Sequence, residues 1–150
     1  MAKTVVVVQR LSDFADDFAD WLQRVGYRVR VCTGPSSPRY RCWAQTFDDC
    51  PLWQQADLMI YDPWLPTGPS AYGSGRLLAL EHGRHPDRPI LVWGSGAAVP
   101  RDVASMERPG EVGILPADVT PESLVAAVAN LIGPPESDEA AVKTESAHAE

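Results

Sequence analysis

Apolar positions along this chain change rhythm repeatedly, from continuous short runs to helical spacing and back. Thr4–Val8 is a short β-branched run without polar alternation, which suits a strand covered on both faces. Ser12 and Asp13 then offer caps for a helix in which Phe14, Phe18, Trp21, Leu22 and Val25 recur at helical spacing, while Asp16, Asp17, Asp20 and Gln23 supply a wet side. Gly26 stops that helix, and residues 27–31 give a second strand in which Arg28 and Arg30 alternate with apolar neighbours, as on an edge strand exposed on one side. Between this strand and the third, Leu58–Tyr61, lies a stretch rich in turn formers, with a helix beginning near Ala44 or after Pro51 and a helix-like piece around 53–56. Residues 74–82 read as a helix and 90–93 as the fourth strand, followed by a short helix over 102–107 and a fifth strand over 112–115. The final helix has Thr120 as cap, Pro121 in its first turn and Glu122 at its positive end. Its apolar stripe is Leu124, Val125, Val128, Leu131 and Ile132, and Gly133 with two prolines ends it.

Five strands alternating with helices predict a parallel sheet coated on both sides. In such sheets ligand groups gather beyond the carboxyl ends of the strands, next to the point where strand order reverses. Gln9, Arg10, Asp62, Gly94 and Ser95 fall at those ends.

Composition narrows the picture. The chain has 150 residues and 45% hydrophobic content, enough for one domain with a substantial core. Its formal charge is −7, of which residues 136–150 carry −4. Small and acidic residues without an apolar face make 134–150 a disordered acidic tail in this reading, behind a domain over 1–133. Mild acidity argues against nonspecific binding of nucleic acid, which draws on Lys and Arg. No apolar run is long enough to span a bilayer, and no export signal is recognisable, so a cytoplasmic protein is expected.

The stretch DPWLPTG at 62–68, the stretch PILVWGS at 89–95, the order of elements and the closing proline-led helix carry a resemblance to the receiver domain of bacterial two-component response regulators, over residues 3–133. The resemblance implies a CheY-like, flavodoxin-like three-layer α/β sandwich. It makes Asp62 the phosphoacceptor, with Leu65, Pro66 and Gly68 in the turn that follows. In that family acidic residues after the first strand help to hold magnesium, and the matching positions here are Gln9 and Arg10. Neither supplies the carboxylate that a hard, oxygen-seeking Mg2+ prefers. Arg10 is placed to neutralise Asp62 without a metal. The family's switching hydroxyl matches Gly94, with Ser95 one place on, and its lysine after the fifth strand has no counterpart, since Leu115, Pro116 and Ala117 occupy that neighbourhood.

Phosphoryl transfer requires stabilisation of charge on the equatorial oxygens. The expected function is therefore a divergent, stand-alone receiver-like module that signals through protein contacts, with a sensor kinase or another regulator as partner and a homodimer as a further implication of the resemblance. In that reading Asp62 is a strand-end turn former or an ion-pair partner; the alternatives are a true phosphoacceptor cycle on Asp62 using Mg2+, or an unfamiliar ligand or chemistry at the same crevice. No output domain for DNA binding is expected after residue 133, and no direct contact with DNA or membrane.

The segment 32–55 departs from the family pattern. Cys32, Cys42 and Cys50 lie within nineteen residues. They are ordinary thiols, a redox-sensitive pair, or ligands of Zn2+ or an iron-sulfur cluster, which gives a cysteine-based sensor as a third functional alternative. Arg39, Tyr40, Arg41, Trp43, Phe47 and Trp53 have the composition of a protein-contact surface, or else form lids closing onto the domain. Trp64 adds aromatic character beside Asp62, where a partner or small molecule would cover the crevice.

Overall fold

The computed structural model describes residues 2–9, 13–32, 51–63, 74–93, 99–116 and 118–135, with the side chains of 13–15 and 74–77 outside the description. Five strands, β1 (Thr4–Val8), β2 (Arg28–Cys32), β3 (Leu58–Tyr61), β4 (Ile90–Val92) and β5 (Val112–Ile114), form one parallel sheet in the order β2-β1-β3-β4-β5. The helices are α1 (Asp13–Arg24), α2 (Pro51–Gln54), α3 (Ser74–Arg84), α4 (Arg101–Ala104) and α5 (Pro121–Ile132). Among the described residues, no helix is long and apolar enough to cross a membrane.

The sheet has a core on each face because its central strands carry apolar residues on both faces. In β1, Val5 and Val7 point to a cluster built by Phe18 and Leu22 of α1 and Leu124 and Val128 of α5. Val6 and Val8 point the other way, to Trp53 of α2, Leu78 of α3 and Val103 of α4. Three layers result, and the expected strand covered on both faces is the one observed, with all five β1 residues buried. The edge strand β2 contrasts with it: Arg28 and Arg30 are exposed, Val29 packs against the α1 and α5 cluster, and Val31 is 43% exposed.

Local chemistry sets the boundaries. Gly26, at a φ of +109°, makes the turn that returns α1 to the sheet, in a backbone region that favours glycine. Thr120 caps α5, accepting from the Ser123 N–H at 3.1 Å while the Ser123 hydroxyl accepts from the Thr120 N–H at 2.8 Å. Predicted ends shift by one to three residues. β2 is displaced one residue forward, and β4 and β5 each stop one residue earlier. α2 begins at the Pro51 boundary that the sequence offers and ends two residues before the expected 56, with Ala56 N–H bonded back to Trp53 O in the turn that follows it. α4 is shorter than the expected 102–107, because Met106 and Glu107 bond back three residues, to Val103 and Ala104, in a tighter turn.

Trp53 requires a larger correction. Counted with the contact-surface residues, it is 1% exposed and packs edge-on against Tyr61, ring centroids 6.4 Å apart, so it fills the core beneath α2. Pro134 and Pro135, assigned to the tail, are placed against the body: Lys3 Nζ donates to Pro134 O at 3.1 Å, and Pro135 lies against Gly26.

Candidate functional site

The carboxyl ends of β1 and β3 stand side by side. Their register pairs Val8 with Tyr61, and the ladder extends one step further through Asp62 N–H to Val8 O at 2.9 Å. Gln9 and Asp62 are thus neighbours at the end of the sheet, where strand order reverses between β1 and β3. On the other side, Gln9 N–H bonds Cys32 O at 3.0 Å. The position of Asp62 follows from its sequence, since four buried residues, LMIY, carry it straight to the strand end.

Both side chains are buried, Gln9 to 2% and Asp62 to 4% exposure. The Gln9 amide nitrogen, Nε2, has no hydrogen-bond partner among the described residues. A buried donor in that condition costs its full desolvation unless water or a ligand meets it, so the crevice presents an N–H donor beside a carboxylate. Magnesium asks for the reverse, a set of oxygens in near-octahedral geometry. Among the described residues no group of three or more His, Cys, Asp or Glu side chains is placed to hold a metal ion. The described donors do not fit a magnesium site.

Trp93, directly after β4, is 3% exposed, donates its backbone N–H to Tyr61 O at 3.1 Å, and meets Phe18 in a tilted ring contact with centroids 4.7 Å apart. Its indole donates to Pro116 O at 3.1 Å. The end of β5, where the resemblance implies a lysine, is thus engaged by an indole donor from β4. An apolar strand ending in tryptophan signals burial, and only the fold shows that its indole reaches Pro116 O after β5.

Of the other expected site residues, Cys32 ends β2 and is partly exposed. Arg10, Arg39, Tyr40, Arg41, Cys42, Trp43, Phe47, Cys50, Trp64, Gly94 and Ser95 lie outside the described residues.

No protein-family model and no curated protein sequence matches this chain. Solved structures do. A CheY-like response regulator receiver domain protein from Methanospirillum hungatei JF-1 is similar with a TM-score of 0.63 at 16% identity, over 88% of this chain and 94% of that one. A response regulator receiver protein from Sinorhizobium medicae WSM419 gives 0.63 at 18%, over 87% and 94%. NtrX from Brucella abortus, in complex with ADP, gives 0.63 at 19%, with 99% of this chain covering 30% of that one. The fold is the CheY-like receiver fold, a flavodoxin-like α/β sandwich.

Proposed function

We propose that this chain is a divergent receiver-like signalling module that acts through protein contacts, without conventional magnesium-dependent phosphorylation of Asp62. The observation that carries this reading is Gln9. At the strand end beside Asp62 it contributes a buried amide whose donor is unmatched among the described residues, where a receiver mechanism calls for an acidic metal ligand. Without that ligand, and with Pro116 in the neighbourhood of the expected lysine, the described crevice lacks the positive charge that stabilises a transferring phosphoryl group. The partner in this reading is a protein, a sensor kinase or another regulator, with self-association as a further mode, and the contact function needs no bound metal.

The second reading keeps Asp62 as a phosphoacceptor, supported by its burial at the end of β3 on a receiver fold. In that reaction a carboxylate oxygen of Asp62 attacks the phosphorus of acetyl phosphate, the bond to the acetyl oxygen breaks, and acetate leaves. Intact-mass analysis after incubation with acetyl phosphate and MgCl2, on the native chain and on Asp62→Asn, separates the two. The expected result is no phosphoryl adduct on folded protein while a control receiver reacts. An adduct on the native chain that is absent from Asp62→Asn overturns the proposal.

A further inference from the structure

The described chain leaves α5 at the outer edge of the sheet, and three contacts fix the place. Lys3 Nζ donates to Ile132 O at 2.6 Å and to Pro134 O at 3.1 Å. The Tyr27 hydroxyl donates to Gly133 O at 2.8 Å. Pro135 packs on Gly26 so closely that a side-chain carbon added there would lie 3.3 Å from Pro135 Cβ. Residue 135 is thereby delivered to the turn that opens β2, the outermost strand of the sheet.

That turn and the first half of β2 form a groove of about 350 Å³, lined by Gln23, Gly26, Tyr27, Arg28, Val29 and Arg30. Arg28 and Arg30 are exposed, and neither guanidinium has an ion-pair partner among the described residues. Being two residues apart on a strand, they project to one side at a spacing of roughly 7 Å. The next residues of the chain are Glu136, Ser137, Asp138 and Glu139. Glu136 and Asp138 repeat at the same two-residue interval as the arginines, and Glu136 follows directly on the residue anchored at Gly26.

The geometry points to residues 136–139 docking along the outer edge of β2, with Glu136 and Asp138 paired to Arg28 and Arg30, so that the chain's own acidic segment covers its edge strand. Attachment at Pro135 makes this an intramolecular contact, with an effective concentration on the order of millimolar for a short tether, so pairs that are weak singly become populated together. An uncovered edge strand is a template for pairing with another chain, and placing charge over it is one way of blunting that edge. The groove is then an acidic-peptide surface whose resident occupant an acidic partner segment must displace. This inference is independent of the chemistry at Asp62.

The test is ¹⁵N NMR on the full chain, reading the heteronuclear NOE of the amides of 136–139 and the amide shifts of 28–31. Four proteins are compared: the native chain, Arg28→Glu with Arg30→Glu, Glu136→Lys with Asp138→Lys, and all four changes together. The expected result is restrained 136–139 amides in the native chain at low salt and loss of restraint in either charge-reversed pair. Restraint returns in the fourfold swap and is lost in about 1 M NaCl, where the Debye length falls to about 3 Å. The Glu136→Lys, Asp138→Lys variant leaves the folded body untouched and remains informative if the arginine variant is unstable. Equal mobility of 136–139 in all four proteins overturns the inference, and so does restraint that survives both reversals. Restraint that vanishes on dilution assigns the groove to a second copy's acidic segment and overturns the intramolecular form.

Discussion

Gln9 and Asp62 end adjacent strands and share one buried corner of the protein, so the chemistry of each is set by the other. A glutamine is neutral there, and its neutrality lets Asp62 sit at 4% exposure without a second negative charge beside it. Gln9→Glu adds that charge with nearly the same shape. Burying an unpaired carboxylate beside another costs about 2 kcal/mol or more, which in a chain of this length lowers the melting temperature by roughly 4–8 °C. The same change supplies the second oxygen ligand that a magnesium site lacks, so added Mg2+ is expected to raise the melting temperature of Gln9→Glu and leave the native chain unmoved. Thermal unfolding with and without MgCl2 checks this. An equal rise in both proteins would show that the native crevice already binds the ion and would sink the argument from Gln9.

At the scale of elements, the joint between α5, β1 and the α1–β2 turn is held by polar groups rather than by the apolar stripe of α5 alone. Tyr27 is buried among Phe18, Leu22 and Leu58, and its hydroxyl donates to Gly133 O. Burial pushes the phenol above its ordinary value of 10. A phenol that ionises later in the folded chain than in the unfolded one contributes stability that is complete below pH 10, and that stability is lost as pH rises through the folded value. Tyr27→Phe is therefore expected to cost about 1 kcal/mol at neutral pH through the lost hydrogen bond, and the difference between native and variant is expected to shrink as pH climbs above 10. Denaturant unfolding of both proteins across that range is the measurement, and a difference that grows with pH contradicts the burial argument. These elements were legible in unequal measure. The final helix was read closely because Thr120, Pro121 and Gly133 mark its ends with backbone chemistry. Strand and short-helix ends slipped by one to three residues, since nothing in ILVW or RDVASM marks where hydrogen bonding stops. Trp53 was misplaced for another reason: tryptophan has the same identity in a core and on a contact surface, and only the packing of α2 on Tyr61 decides between them.

At the scale of the molecule, the order β2-β1-β3-β4-β5 follows from apolarity as much as from connectivity. The strands without a polar face alternation and buried throughout, β1, β3 and β4, occupy the three interior places, while the arginine-bearing β2 is left at the rim. That contrast made the sheet legible from the sequence, and with it the position of Asp62. The Trp93 indole bond to Pro116 was not legible, because it joins residues twenty-three apart through a side chain whose sequence context indicates only burial. The same arrangement predicts an unequal distribution of stability. Amides of β1 and β3 are paired into the sheet with strands on both sides and covered by two apolar clusters, so they open only with the whole domain. In β2 one edge faces outward and Val31 is 43% exposed, so local opening there exposes little apolar surface. Hydrogen exchange followed by NMR is expected to place residues 5–8 and 59–61 in the slowest class, at the free energy of global unfolding, with 29 and 31 exchanging faster. Equal protection across β2 and β1 would mean that the edge is sealed by a partner strand, and the side-chain docking inferred for residues 136–139 would then have to become backbone pairing as well.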